Sequence, residues 1–225
     1  MRAKPLTLVC SLLAWIALVV GGMGLKMKYG FTPGAVAAAV PAQLTDELQD
    51  RVQLTAGRSA LLVFLHPHCP CSRATIKQLD RVWAIAQESG AADLLPPVHL
   101  IFVIPPGVED GWERGGNLAR AERLEGAFVH FDRAGELAQS FSARTSGQVL
   151  FYDRNGELRF AGGITPSRGK AGDLRHARAL WDVLRRERSD AAESPVYGCP
   201  LFHSGDRTCA DRLSPESNTE CCREP

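Results

Sequence analysis

The sequence has no excess of either charge: 26 Lys and Arg stand against 25 Asp and Glu, a formal net charge of +1 at pH 7. It also has no run of basic residues. Without a basic stripe there is no electrostatic footprint for nucleic acid, and a nucleic-acid partner is not expected. No internal repeat is present. With 45% hydrophobic and 23% charged residues, the composition is that of a globular protein, which sets aside a disordered, collagen-like or disulfide-only chain. A length of 225 residues suits one core of ordinary size, about 100 to 200 residues, with something added.

Charge is missing locally too. Pro5 to Leu25 contains none, and a helix of about 20 apolar residues spans the hydrocarbon layer of a bilayer. No small-residue cleavage site closes this segment; Lys26 and Lys28 follow it, and Ala-x-Ala patterns begin only at Ala35. Val9 in front of Cys10 is wrong for a lipoprotein site. Residues 1–25 are therefore expected to be an uncleaved transmembrane signal-anchor, with 26–41, rich in Gly, Ala and Pro and free of acid, as a linker. Basic residues flank both ends, so charge alone orients the anchor weakly.

Seven cysteines help with orientation. Cys10 reads as a small hydrophobe within the anchor. Cys199, Cys209, Cys221 and Cys222 crowd the last residues, and a loop-rich segment this dense in cysteine suits an oxidising compartment. Anchor and tail together predict a single-pass protein of a bacterial inner membrane, with its domain on the periplasmic side.

Between them, residues 42–188 read as one α/β domain. Pro41 to Ala56 has helical spacing at Leu44, Leu48 and Val52, with Thr45 or Asp46 as cap and Gly57 as its expected end. Ser59 to Leu65 and Val98 to Ile104 are continuous apolar runs of the kind buried on both faces of a sheet. The intervening Ile76, Leu79, Trp83 and Ala86 form a helix face, completing a βαβ unit. Helices are expected over 109–124 and 136–143, and a strand over 127–131. Asn155-Gly156 predicts a hairpin of 148–152 with 157–161, and Asp173 to about Arg188 a closing helix with Leu174, Ala177, Trp181 and Leu184 on one face. This order means a mixed sheet flanked by helices. The tail, 189–225, is expected to be held by its cysteines.

In His66-Pro67-His68-Cys69-Pro70-Cys71 a buried strand turns into a helix. With Cys69 at the N-cap and Pro70 at N1, where the missing N–H costs nothing, Cys71 falls at N2. Both sulfurs then face unpaired backbone N–H groups and the positive helix end, which favour a thiolate, the nucleophile of disulfide exchange. His66 and His68 are the candidate proton carriers. The same four residues, His66, His68, Cys69 and Cys71, are also a donor set for Cu(I) or Zn(II), although their spacing matches no standard zinc pattern. Two cysteines this close are poor structural staples, because they close almost no loop.

These segments resemble the thioredoxin-like superfamily: LLVFLHPHCPCSRATIKQL matches its strand, redox turn and helix, and TSGQVLFYDRNGELRFAGG with the helix after it matches its second half. More narrowly the chain is similar to membrane-anchored bacterial RedB-type proteins in its HPHCPCS turn, TSGQVLFYDRNG hairpin, FAGGITPSRG loop and VYGCPLF tail. The resemblance implies a thioredoxin-like fold and a thiol–disulfide oxidoreductase acting on protein thiols or disulfides without a cofactor. It makes Thr145, Ser146 and Gly147 the loop facing the substrate. Cys69-Pro70-Cys71 is one residue shorter than the superfamily's Cys-x-x-Cys, and the tight ring of its disulfide implies an oxidising pair, roughly −120 to −180 mV. Gly147 stands where the superfamily has a cis-proline, and Val63 where many members carry a buried carboxylate.

Cys69 is the expected nucleophile and Cys71 the resolving thiol. The tail cysteines read first as structural disulfide candidates. In the alternative, Cys199, with His203 one turn on, joins a metal site or serves as a resolving relay for Cys69. A peroxidase would need an arginine beside a single exposed cysteine, and Arg73 is near; a binding adaptor would tolerate loss of both Cys69 and Cys71. His99 and His130 lie in strand-like runs and read as core histidines, and Trp83 and Trp181 as core.

Overall fold

A computed structural model describes residues 3–35, 39–172, 175–186 and 192–202. Helix α1 (Ala3–Phe31) and α2 (Asp46–Val52) precede β1 (Ala60–Leu65), α3 (Pro70–Glu88), β2 (Val98–Ile104), α4 (Gly116–Ala121), β3 (Ala127–Arg133) and α5 (Glu136–Ser140). The hairpin β4 (Gln148–Tyr152) and β5 (Leu158–Gly162), helix α6 (Arg178–Arg186) and the short β6 (Ala192–Glu193) complete the order.

The strands form one sheet in the order β3-β2-β1-β4-β5-β6. β1 lies parallel to β2, with Leu61 opposite Val98, and antiparallel to β4, with Phe64 opposite Gln148. A βαβ unit thus sits beside a hairpin and closing helix, the expected thioredoxin-like fold. Every residue of β1 and β2 is buried, because strand side chains alternate between faces and both faces are covered. Leu61, Val63 and Leu65 pack with Ile76, Leu79 and Trp83 of α3 and with Leu180 and Leu184 of α6. Leu62 and Phe64 point the other way, toward Val52, Leu137 and Phe141. The Asp153 carboxylate organises the hairpin turn by accepting from the N–H groups of Asn155 and Glu157, and Gly156 supplies the positive φ there.

Four elements differ from expectation. The helix expected over 109–124 is reduced to α4: Gly111 takes a positive φ (84°), and the chain turns at Trp112 before the helix begins. Helix α2 stops at Val52, where Gln53 adopts the left-handed conformation and returns its N–H to Asp50 and Gln49. The closing helix starts at Arg178, not Asp173; Asp173, Leu174 and residues 187–191 lie outside the described residues.

The fourth difference lies in the 26–41 segment. It does not begin as a loose linker, because α1 continues to Phe31 and ends just before Thr32-Pro33, since a residue preceding proline disfavours helix. Beyond it the chain binds the domain, with Gly34 N–H donating to Val196 O (2.8 Å) and Ala35 O accepting from Thr145 Oγ1 (2.9 Å). Among the described residues, α1 is the one helix long and apolar enough to cross a membrane by length and composition, and its apolar side chains from Leu8 onward are exposed.

Candidate active site

Cys69 is the N-cap of α3 and Pro70 opens the helix. The cap puts the Cys69 sulfur 3.3 Å from the backbone N–H of Cys71, which donates to it. The Cys71 thiol and the N–H of Ser72 also donate to it. A fourth donor comes from the opposite wall. His66 N–H donates to Ser72 Oγ (2.8 Å), and Ser72 Oγ lies 2.8 Å from Ser146 Oγ. Because Ser72 already accepts from a backbone N–H, its proton is available to Ser146, whose own proton is then directed at Cys69. Both serines are fully buried, which fixes this chain of donors.

These donors, the Cys71 thiol first, outweigh the cost of burial and lower Cys69 to about 4. Cys71, holding the shared proton and buried beside that negative charge, is shifted strongly upward. The pair therefore divides into a thiolate, Cys69, and a neutral thiol, Cys71. The Cys69 carbonyl is held by the buried Asn117, whose Nδ2 donates to it at 2.9 Å and reaches His66 O at 3.5 Å.

On its open side Cys69 borders a cleft of about 390 Å³ also lined by His68, Arg73, Asn117 and Arg120. Of the two imidazoles, His68 lines this cleft and His66 does not. His66 Nδ1 accepts from the backbone N–H of His68 (3.3 Å), while His68 Nε2 lies 2.7 Å from the carbonyl oxygen of Trp112 and so carries the proton there. The Trp112 indole lies edge-on to both rings, 5.4 Å from His66 and 4.5 Å from His68 between centroids.

Thr145, Ser146 and Gly147 form the facing loop, buried against the helix start. Gly147 adopts φ 91° and donates its N–H to Phe64 O (2.8 Å), and a Cβ there would lie 2.6 Å from Thr75 Oγ1. The tail returns across this loop. Thr145 pairs antiparallel with Pro200, Ser146 N–H donates to Cys199 O (2.8 Å), and Leu201 N–H donates to Arg144 O (2.9 Å). Cys199 Sγ consequently lies 4.0 Å from Cys71 Sγ. The sulfurs of Cys69, Cys71 and Cys199 all fall within 4.8 Å of one another, and all three are free thiols. Burial and the nearby Cys69 charge raise Cys199.

The described part of the tail is thus held by backbone pairing and by the buried Val196 and Leu201, and its cysteine enters the redox turn. The readings of Cys209, Cys221, Cys222 and His203 lie outside the described residues. Ser72, Trp112 and Asn117 were not legible as site residues. Ser72 follows the motif directly, but Trp112, in a turn, and Asn117, in α4, lie more than forty positions away.

A scan of family models finds none that matches this chain, and a search of curated proteins finds no match. Among solved structures, a hypothetical protein from Sinorhizobium meliloti 1021 is similar over 76% of this chain and 93% of its own (20% identity, TM-score 0.47). A SCO1/SenC family lipoprotein from Bacillus anthracis is similar over 62% and 86% (10% identity, TM-score 0.42). A secreted Mycobacterium tuberculosis disulfide oxidoreductase homologous to Escherichia coli DsbE is similar over 46% and 67% (18% identity, TM-score 0.30). At these scores the likenesses add nothing to the strand order, which carries the fold assignment.

Proposed function

We propose that this protein is a membrane-anchored, extracytoplasmic thiol–disulfide oxidoreductase acting through Cys69 and Cys71. The observation that carries the reading is the placement of the pair: Cys69 caps α3 at the mouth of a cleft and accepts from the Cys71 N–H, and the Cys71 thiol is buried behind it. Cys69 attacks a disulfide of a partner protein; a mixed disulfide forms and one partner sulfur leaves as thiolate, which takes up a proton. Cys71 then gives up its proton and attacks Cys69 Sγ. The second partner sulfur leaves, the partner is reduced and Cys69–Cys71 is oxidised. The reverse sequence oxidises a partner dithiol. His68, which lines the cleft beside Cys69, and His66, whose Nδ1 accepts from the His68 N–H, exchange protons with the leaving sulfur. Helix α1 supports the anchor, and the cysteine-rich tail supports an oxidising compartment, the periplasmic side of a bacterial inner membrane.

Trapping tests this reading. Full-length Cys71→Ser in detergent, exposed to a disulfide-bonded model protein, should accumulate a mixed disulfide at Cys69 that reductant releases, and Cys69→Ser should not. Equal trapping by both variants overturns it.

A second reading is supported by the three sulfurs within 4.8 Å. Cu(I) or Zn(II) would then be held by Cys69, Cys71 and Cys199, with the histidines outside the donor set. Stoichiometric metal that survives dialysis and is lost in Cys199→Ser would favour it.

A further inference from the structure

We infer that Cys199 is a third redox thiol of this site, presented by the chain's own tail, and that it exchanges disulfide with Cys71. The inference rests on the oxidoreductase reading and extends it.

An extended, cysteine-bearing segment paired by backbone hydrogen bonds to the wall of a dithiol site has the geometry of a bound substrate strand. Residues 196–201 are such a segment. Pro200 bridges Thr145, Cys199 O accepts from Ser146, and Gly198 O accepts from Arg168. Gly198 passes so close to the loop that a Cβ would collide with Ser146 O, so the strap lies flat on the wall. Val196 and Leu201 bury their side chains at its two ends. The result is a sulfur 4.0 Å from Cys71, about 2 Å beyond bonding distance.

The step balances without an external oxidant. Starting from the Cys69–Cys71 disulfide, Cys199 loses its proton to water and its sulfur attacks Cys71 Sγ. The Cys69–Cys71 bond breaks, a Cys71–Cys199 bond forms, and Cys69 departs as thiolate. The departing Cys69 has no Cys71 thiol to donate to it in this step but keeps the N–H groups of Cys71 and Ser72 and the Ser146 hydroxyl, which favours this direction of attack. Burial raises Cys199 first and the Cys69 charge second, and oxidising Cys69 removes the second of these. The two disulfides are isomers at one oxidation level. In the second, the tail is bonded across the loop and Cys69 is a nucleophile again.

The test uses the full-length chain in detergent with Cys10, Cys209, Cys221 and Cys222 replaced by Ser and chelator present. The protein is equilibrated in glutathione buffers of graded potential, quenched with a maleimide, digested and mapped for linked peptides. Both Cys69–Cys71 and Cys71–Cys199 links are expected, in a ratio that does not change with buffer potential. Cys199 alkylated throughout, or a ratio that drifts with potential, overturns the proposal. Gly198→Val keeps all three cysteines but lifts the strap. It should lose the Cys71–Cys199 link and keep Cys69–Cys71; an unchanged ratio overturns the role given to the strap. Absence of the Cys69–Cys71 link at every potential sinks the underlying oxidoreductase reading instead, a result distinct from loss of the Cys199 link alone.

Discussion

Removing the Cys71 thiol while leaving the helix start intact should raise the Cys69 pKa by a calculable amount. Four donors converge on Cys69: the Cys71 thiol, the Ser146 hydroxyl and the N–H groups of Cys71 and Ser72. A hydrogen bond to a charged group contributes about 1.5–3 kcal/mol, and a pKa unit corresponds to about 1.36 kcal/mol. Cys71→Ala deletes one donor and retains three, so Cys69 should rise by about 1–2 units from its starting point near 4 and remain well below an ordinary cysteine. At about pH 5, where the wild-type thiolate is almost fully formed, the variant's alkylation rate should fall roughly two- to tenfold, and at about pH 8 it should not change. Cys71→Ser keeps a donor at the same place and should shift less. The assay is iodoacetamide alkylation of reduced full-length protein from about pH 3 to 9, with Cys69 quantified by peptide mass. A wild-type Cys69 titrating near the free value of about 8.5, or identical profiles for Cys71→Ala and Cys71→Ser, would refute this account of the thiolate.

Ser146→Ala should raise the Cys69 pKa in the same assay, since it removes the donor from the facing loop; a profile matching wild type would break the chain from His66 through Ser72. Gly147→Ala places a Cβ against Thr75 at a left-handed φ and should cost about 1–3 kcal/mol in denaturant unfolding, with no loss counting against the geometry. Asp132→Ala orphans the N–H groups of Leu137 and Ala138, which the carboxylate caps at 2.9 and 2.8 Å, and should cost about 1–3 kcal/mol; a change in Tm within error would count against it. His99, buried and 2.9 Å from His130, is lowered to about 4 by burial and the neighbouring imidazole. Its folded pKa lies below its unfolded value of about 6.5, so the unfolded state binds more protons between them. Stability is then full above roughly pH 6.5 and declines as the pH falls toward 4. A Tm that stays level across that window would contradict the burial of this pair.

The sheet was legible because its signals are local. Leu61 to Leu65 is apolar at every position and Val98 to Ile104 at every position but His99, Asn155-Gly156 names its own turn, and Pro70 marks a helix start that makes Cys69 a cap. What could not be read depends on contacts between distant segments. Trp112 sits in a stretch whose apolar spacing suits a helix, and only the turn at Gly111 brings it over the two histidines. Asn117 is one polar residue among many until the fold carries it to the Cys69 carbonyl. Ser146 was legible as part of the facing loop, but its alignment toward Cys69 depends on Ser72 being committed to His66. Cys199 was visible as one of four tail cysteines; its selection follows from backbone pairing with residues 144–146, for which sequence periodicity has no signature.

The end of α1 places a limit on how this protein meets its partners. Phe31 lies only three residues before Gly34, which is bonded to the tail strap, and four before Ala35, which is bonded to Thr145 of the facing loop. Arg168, whose N–H donates to Gly30 O, also stacks its guanidinium over Tyr29 at 4.8 Å, fastening the last turn of the helix to the domain. Four extended residues reach at most about 14 Å. With α1 in a bilayer, the domain is therefore mounted at a set height and does not swing on a tether. In the proposed oxidoreductase, Cys69 would then meet thiols carried close to the lipid surface, and lengthening the chain between Phe31 and Gly34 would change which partners it reaches without touching the dithiol itself.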